Sequence, residues 1–108
     1  MDCVFCDVRE GKYGTKFLYQ DEDVMVFPDI HPIKPIHLLI VPKEHITEFS
    51  VLDNDALWTK MRHITKKMIE EQGLSDKGYR LIVNGGGAQV IDHLHIHLTG
   101  PWGKAAAL

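Results

Sequence analysis

The chain is short of cysteine, of charge imbalance and of long apolar runs. Two cysteines in 108 residues cannot build a disulfide framework, and three positions apart they suit a metal or redox site better. The formal net charge is only −3, so the strong basic balance of a domain that lives on phosphate backbones is missing and no nucleic-acid partner is expected. No uninterrupted apolar stretch exceeds four residues, as in residues 38–41, which is far too short to span a bilayer, so no membrane partner is expected. The opening MDCVFCDVREGK carries an early acid and no apolar core of signal-peptide length. A cytoplasmic location is therefore expected. There is no internal repeat and no low-complexity tract in the body of the chain. Residues 105–108, Ala105-Ala106-Ala107-Leu108, look like a tag-derived linker, which leaves one domain over residues 1–104. With 44% hydrophobic and 25% charged residues the chain is composed like an ordinary globular domain, not a disordered one. What it has in excess is histidine, seven in all.

Asp2 is a candidate cap for a short helix over residues 3–10 that Gly11 stops. Residues 16–20 and 24–27 read as two strands of a hairpin around the turn Asp21-Glu22-Asp23. Pro28, Pro32 and Pro35 predict an irregular stretch, because proline cannot donate to a ladder. Residues 37–41 form a third, buried strand ending at Pro42. Ser50 or Asp53 caps a long helix that runs to about Gln72, with an apolar stripe of Leu57, Met61, Ile64 and Met68. Residues 79–83 and 93–99 complete a set of five strands. The connections are mostly too short for right-handed crossovers, so the expected fold class is α+β, a mainly antiparallel five-stranded sheet with one long and one short helix.

The most informative segment is His93-Leu94-His95-Ile96-His97-Leu98. Alternation on a strand puts the three imidazoles on one face and Leu94, Ile96 and Leu98 on the other, which faces the core. The imidazoles span roughly 13 Å at 3.3 Å per residue, too far for all three to meet one metal ion. Neutral imidazole is a good nucleophile at pH 7, and a neighbouring imidazole can supply a proton or stabilise charge. Gly85-Gly86-Gly87, flanked by Asn84 and Gln89, precedes the strand. Glycines allow backbone N–H groups to converge on phosphate oxygens, although a glycine run alone is more often a plain loop. The pair Cys3-x-x-Cys6 has three readings: a redox pair, two buried thiols, or half of a zinc site.

Residues 93–99, HLHIHLT, resemble the His-φ-His-φ-His-φ-φ motif of the histidine-triad (HIT) superfamily of nucleotide hydrolases and transferases, φ being apolar. Further segments are similar to that superfamily in the same order: Cys3-Val4-Phe5-Cys6, Phe27-Pro28-Asp29-Ile30-His31-Pro32, and the stretch from Pro35 through Pro42-Lys43-Glu44-His45 to Ile46. The resemblance covers about residues 3–100 and is closest to the Hint-like bacterial branch. It implies a homodimer whose sheets join across the two-fold axis. It also implies hydrolysis of purine nucleoside phosphoramidates or related nucleotidyl adducts through a covalent nucleotidyl-histidine. His95 is the implied nucleophile, and His97, His37 and Asn84 the implied holders of the phosphate, beside Gly87, Gln89 and Val90. Asp29, with Ile30 next to it, is the implied ribose carboxylate; a carboxylate can accept both hydroxyls of a cis-diol. Val4, Phe5, Val8, Phe27 and Leu39 are the implied walls of the base pocket. The implied structural zinc has the ligands Cys3, Cys6, His45 and His93, which frees His95 and His97 for substrate. His31 and His63 receive no role.

Three departures from the family pattern bear on function. The segment from Asn84 to His93 is two residues shorter than usual. Val90 stands where many members have a hydroxyl beside the scissile phosphate. The usual C-terminal extension is absent from the sequence. An alternative reading is therefore a zinc-stabilised nucleotide-binding scaffold or regulatory protein with little turnover.

Overall fold

The computed structural model describes residues 2–107. Met1 lies outside the described residues, as does Leu108, the last residue of the expected linker. The elements in chain order are α1 (Val4–Arg9), β1 (Tyr19–Gln20), β2 (Val24–Pro28), β3 (Ile36–Pro42), a 3-10 turn (Phe49–Val51), α2 (Asp55–Glu71), β4 (Arg80–Ile82) and β5 (Ile96–Gly100). The five strands form one sheet in the order β1-β2-β3-β5-β4, antiparallel at every pairing, so the α+β expectation holds. No helix among the described residues is long and apolar enough to cross a membrane.

Both faces of the sheet are covered. Alternation sends Val24, Val26, Leu38, Ile40, Ile96 and Leu98 to one face, where they pack on Leu57, Met61, Ile64 and Met68 of α2. That is the apolar stripe expected from the sequence, and each such side chain contributes about 1.5–3 kcal/mol on burial. Met25, Phe27, Leu39 and Val41 point the other way and pack on Cys3, Phe5 and Val8. The chemistry sits on this second face.

Several boundaries differ from expectation, for local reasons. The side chain that caps α1 is Cys3, whose Sγ accepts the Cys6 N–H, not Asp2. Asn54 caps α2 through the Leu57 N–H, where Ser50 or Asp53 was expected; Ser50 lies in the 3-10 turn. β1 is confined to Tyr19–Gln20, and β2 extends to Pro28, whose missing N–H is tolerated at a strand end. The largest difference is β5, which begins at Ile96 rather than at 93. Its register with β3 pairs Ile40 with Ile96 and would set Pro42 opposite Leu94, but Pro42 has no N–H to give. The Leu94 N–H goes instead to the Ile46 carbonyl at 2.6 Å. The alternation survives this break: Leu94, Ile96 and Leu98 are all in the α2-side core.

The hairpin turn is built by one carboxylate. Asp21 accepts the N–H groups of Asp23 and Val24 on Oδ1, and on Oδ2 the Tyr19 hydroxyl at 2.6 Å and Lys60 Nζ at 3.0 Å. Burial opposes its ionisation, but these donors outweigh burial and hold the carboxyl well below its usual range.

Candidate functional site

The thiols and two of the histidines meet between the N-terminus of α1, the loop after β3 and the approach to β5. The ligand atoms of Cys3, Cys6, His45 and His93 all lie within 4.8 Å of one another. His93 Nδ1 is 3.2 Å from Cys3 Sγ and 3.7 Å from Cys6 Sγ, and His45 Nδ1 is 3.3 Å from Cys6 Sγ. A tetrahedral ion with ordinary Zn–S and Zn–N lengths spaces sulfur and nitrogen donors by about 3.6 Å, so the set fits zinc. Two further observations agree. His93 Nε2 sits 2.7 Å from the Pro42 carbonyl, which can only accept; Nε2 therefore carries the proton and Nδ1 turns its lone pair to the thiols. Among the described residues His45 Nε2 is buried without a partner, so the ring's polar contact there lies wholly on its Nδ1 side. Both cysteines are free thiols. An ion held here would tie α1 to β3 and β5, the chemistry of a structural centre.

A second cluster joins Asp29 to His37 of β3 and His97 of β5, with His95 beside it just before β5 begins. His37 and His97 come from neighbouring strands, and their rings meet at 2.9 Å, Nε2 to Nδ1. Their protonation follows from fixed groups. The Ile33 N–H donates to His37 Nδ1 at 3.2 Å, so His37 carries its proton on Nε2. That proton goes to His97 Nδ1, with Asp29 Oδ2 a longer 3.4 Å away. His97 Nδ1 is then an acceptor, and its own N–H lies on Nε2. His95 is set the opposite way. Its Nδ1 is 2.7 Å from the His93 carbonyl, so Nδ1 is the donor and Nε2 keeps a bare lone pair. The rings of His95 and His97 are 4.7 Å apart, and Phe5 meets His95 edge-on at 5.0 Å. Burial pushes the imidazolium form of His95 down, and pushes His97 down to about 4 with help from His95 and His37. The pair is thus neutral at pH 7: one ring offers a lone pair, the next an N–H.

The other expected residues are placed as follows. Asp29 uses Oδ1 to accept the His31 N–H at 2.8 Å, an Asx turn that fixes the carboxylate beside His37. Phe5, Val8, Phe27 and Leu39 are buried in the second core, and only Phe5 of these has a ring contact with His95. Val4 is half exposed, while Ile30 and Val90 are 85% and 98% exposed, so these three do not line a closed wall. Asn84 is half-buried. In the glycine loop, the Gly86 N–H donates to Glu48 Oε2 and the Gly87 N–H to Gln89 Oε1. The loop's amides thus already hold side-chain oxygens that a phosphate would have to replace. Glu48 was not singled out from the sequence, and no local signal marks it, since it lies 38 positions from Gly86. His31 and His63 are exposed, in keeping with the lack of a role.

The comparisons agree with this geometry. The family model described as HIT domain matches residues 10–102. An uncharacterized HIT-like protein of Buchnera aphidicola subsp. Baizongia pistaciae is 37% identical over 101 residues, 90% of this chain and 90% of that one. Among solved structures, a HIT family hydrolase from Clostridium thermocellum is 39% identical with a TM-score of 0.86, covering 92% of this chain and 90% of that one. A histidine triad nucleotide-binding protein from Candida albicans is 30% identical with a TM-score of 0.83, covering 90% of this chain and 73% of that one. The alternating histidines, the antiparallel sheet that carries them and the match over most of the sequence lead to one assignment: the chain belongs to the HIT family.

Proposed function

We propose that the protein is a nucleotide-binding phosphohydrolase that cleaves the α-phosphate bond of purine nucleoside phosphoramidates or related nucleotidyl adducts through a covalent nucleotidyl-His95. The observation that carries this reading is the opposed tautomers of adjacent rings, a bare Nε2 on His95 and an Nε2–H on His97. The His95 Nε2 lone pair attacks the α-phosphorus, and the bond from phosphorus to the leaving amine or oxygen breaks with its electron pair, the departing atom taking up a proton from solvent. His97 Nε2–H donates to a phosphoryl oxygen as charge builds there. Water then adds to phosphorus, its proton passes to solvent or the departing ring, and the N–P bond breaks to regenerate His95 and release the monophosphate. The Nδ1–H bond to the His93 carbonyl holds the His95 tautomer throughout. His37 keeps His97 in register, Asp29 takes the ribose hydroxyls, and Asn84, Gly87, Gln89 and Val90 border the phosphate. Val4, Phe5, Val8, Phe27, Ile30 and Leu39 flank the purine. The likeness to proteins named hydrolase and nucleotide-binding supports this reading.

Zinc on Cys3, Cys6, His45 and His93 completes the proposal as a structural ion. A homodimer is supported by β4, a sheet edge beside which Tyr79, Leu81 and Ile82 are all exposed. A cytoplasmic location completes the reading, in keeping with a sequence whose two cysteines build no disulfide framework. The occupied glycine-loop amides favour a second reading, a zinc-stabilised nucleotide-binding scaffold with little turnover. Incubation with adenosine 5′-phosphoramidate separates the two. The enzyme should release adenosine monophosphate, carry a transient nucleotidyl mass adduct, and lose both in His95→Ala. Nucleotide binding without turnover selects the scaffold, and an adduct that persists in His95→Ala overturns the nucleophile.

A further inference from the structure

Beside the second cluster lies a row of side chains of which the proposed chemistry uses only His37. Thr99 on β5 is flanked by His37 on β3 and Arg80 on β4, so the three residues project from the same sheet face. Thr99 is fully buried, and its Oγ1 accepts the Trp102 Nε1–H at 2.8 Å. This bond fixes the indole against the row, and two cations then stand over its ring. Lys34 Nζ is 4.2 Å from the ring centroid and Arg80 Cζ is 3.9 Å from it. Each gains from the π face.

Gathering two like charges on one ring is unfavourable unless something anionic offsets it. Among the described residues four cations, Arg9, Lys12, Lys60 and Lys67, have carboxylate partners; Lys60, for one, touches Asp21, Glu22 and Asp23. Among the described residues, no carboxylate lies within the 4 Å of an ion pair from Lys34 or Arg80. Arg80 instead donates to the Ala107 carbonyl, a contact with an exposed tail that an anion could displace. Two strand spacings of about 4.8 Å separate the backbone of Arg80 from that of His37, within the combined reach of a long side chain and a short phosphate chain. The site itself brings neutral rings and the carboxylate of Asp29, so it offers little to balance phosphate charge beyond the α position.

We infer that Lys34 and Arg80, held on Trp102, form an anion subsite for phosphate groups beyond the α-phosphate. Nucleoside di- and polyphosphate adducts are then preferred over phosphoramidates with an uncharged amine. This rests on the nucleotide reading above and deepens it by naming the class of leaving group. The side chains contribute charge-assisted hydrogen bonds to phosphate oxygens, and Trp102 positions them.

The test is calorimetric titration of the full chain with adenosine monophosphate and with α,β-methylene adenosine diphosphate, whose bridging bond does not hydrolyse. The wild type should bind the diphosphate analogue about tenfold tighter, an advantage that shrinks with added salt. Lys34→Gln with Arg80→Gln should bring the two ligands within about twofold of each other and leave the monophosphate affinity nearly unmoved. Lys34→Gln alone, a change at a half-exposed position, should remove part of the preference and serves if the double variant folds poorly. A wild type that binds both ligands equally, or a preference that survives the double variant, overturns the subsite and leaves the nucleotide reading standing. A wild type that binds neither ligand overturns the nucleotide reading, and the subsite with it.

Discussion

His93 carries two jobs that its backbone and side chain divide between them. Its carbonyl accepts the Nδ1–H of His95 at 2.7 Å, while its ring turns Nδ1 to Cys3 Sγ at 3.2 Å. The candidate metal ligand thus orients the candidate nucleophile through one backbone segment. Placing His93 before the first paired residue of β5 makes this possible. Its own N–H folds back to the Ile91 carbonyl at 2.8 Å, and its carbonyl is left for His95.

Metal analysis of protein purified without chelator should find about one zinc per chain in tetrahedral coordination. Cys3→Ser with Cys6→Ser should lose it. Removing the ion should lower the melting temperature markedly, because the ligands come from three separate parts of the fold. Full zinc occupancy in the double variant would show that the ligands are elsewhere.

His97→Ala should slow hydrolysis of adenosine phosphoramidate by about 10²–10³-fold, the usual cost of one donor to a developing oxyanion. It should still form the nucleotidyl adduct, because the His95 lone pair is set by the His93 carbonyl and not by His97. Rapid-quench mass measurement reads both effects. Unchanged turnover in the variant would remove His97 from the phosphate site.

Asp29 should select ribonucleotides. Loss of the 2′-hydroxyl leaves a carboxylate lone pair unpaired, costing about 1–3 kcal/mol. Calorimetry with the monophosphates of adenosine and deoxyadenosine should show this difference, and Asp29→Ala should abolish it. Equal affinities in the wild type would refute the role.

Sedimentation equilibrium at micromolar concentration should show a dimer, and Leu81→Glu should shift it to monomer. Leu81 is 47% exposed in edge strand β4, where a charge opposes burial against a second copy. A monomeric wild type would exclude the edge as a dimer interface.

Stability should fall on acidification in a way that His97→Gln reduces. Burial holds the imidazolium of His97 down to about 4, with the rings of His95 and His37 adding to the effect and the Asp29 carboxylate opposing it. In the unfolded chain the ring titrates near 6.5. Between these values the unfolded state binds a proton that the folded state refuses. This contribution to stability is therefore complete above about pH 6.5 and is lost as the pH drops toward 4. Urea midpoints at pH 7 and pH 4.5 should differ less in His97→Gln than in the wild type. An equal drop in both would mean that His97 titrates normally in the folded protein.

How far the sequence reached is set by the range of the interactions involved. Alternation along residues 93–98 separates imidazoles from leucines and isoleucine because side-chain direction on an extended chain has a period of two, and that is local. The stripe Leu57, Met61, Ile64, Met68 fixes the buried face of α2 for the same reason at a period near 3.6. Where β5 starts was not legible, since it depends on Pro42, whose missing N–H matters only once β3 lies alongside. The donor set Cys3, Cys6, His45 and His93 is nameable by resemblance, but its convergence joins residues up to 90 positions apart. The tautomers of His37, His93, His95 and His97 follow from whichever carbonyl or N–H the fold brings to each ring. Glu48 on the glycine loop and Lys34 and Arg80 over Trp102 carry no sequence signature either. They exist because the sheet and the loops around it bring side chains distant in sequence together, a relation that only the tertiary structure decides.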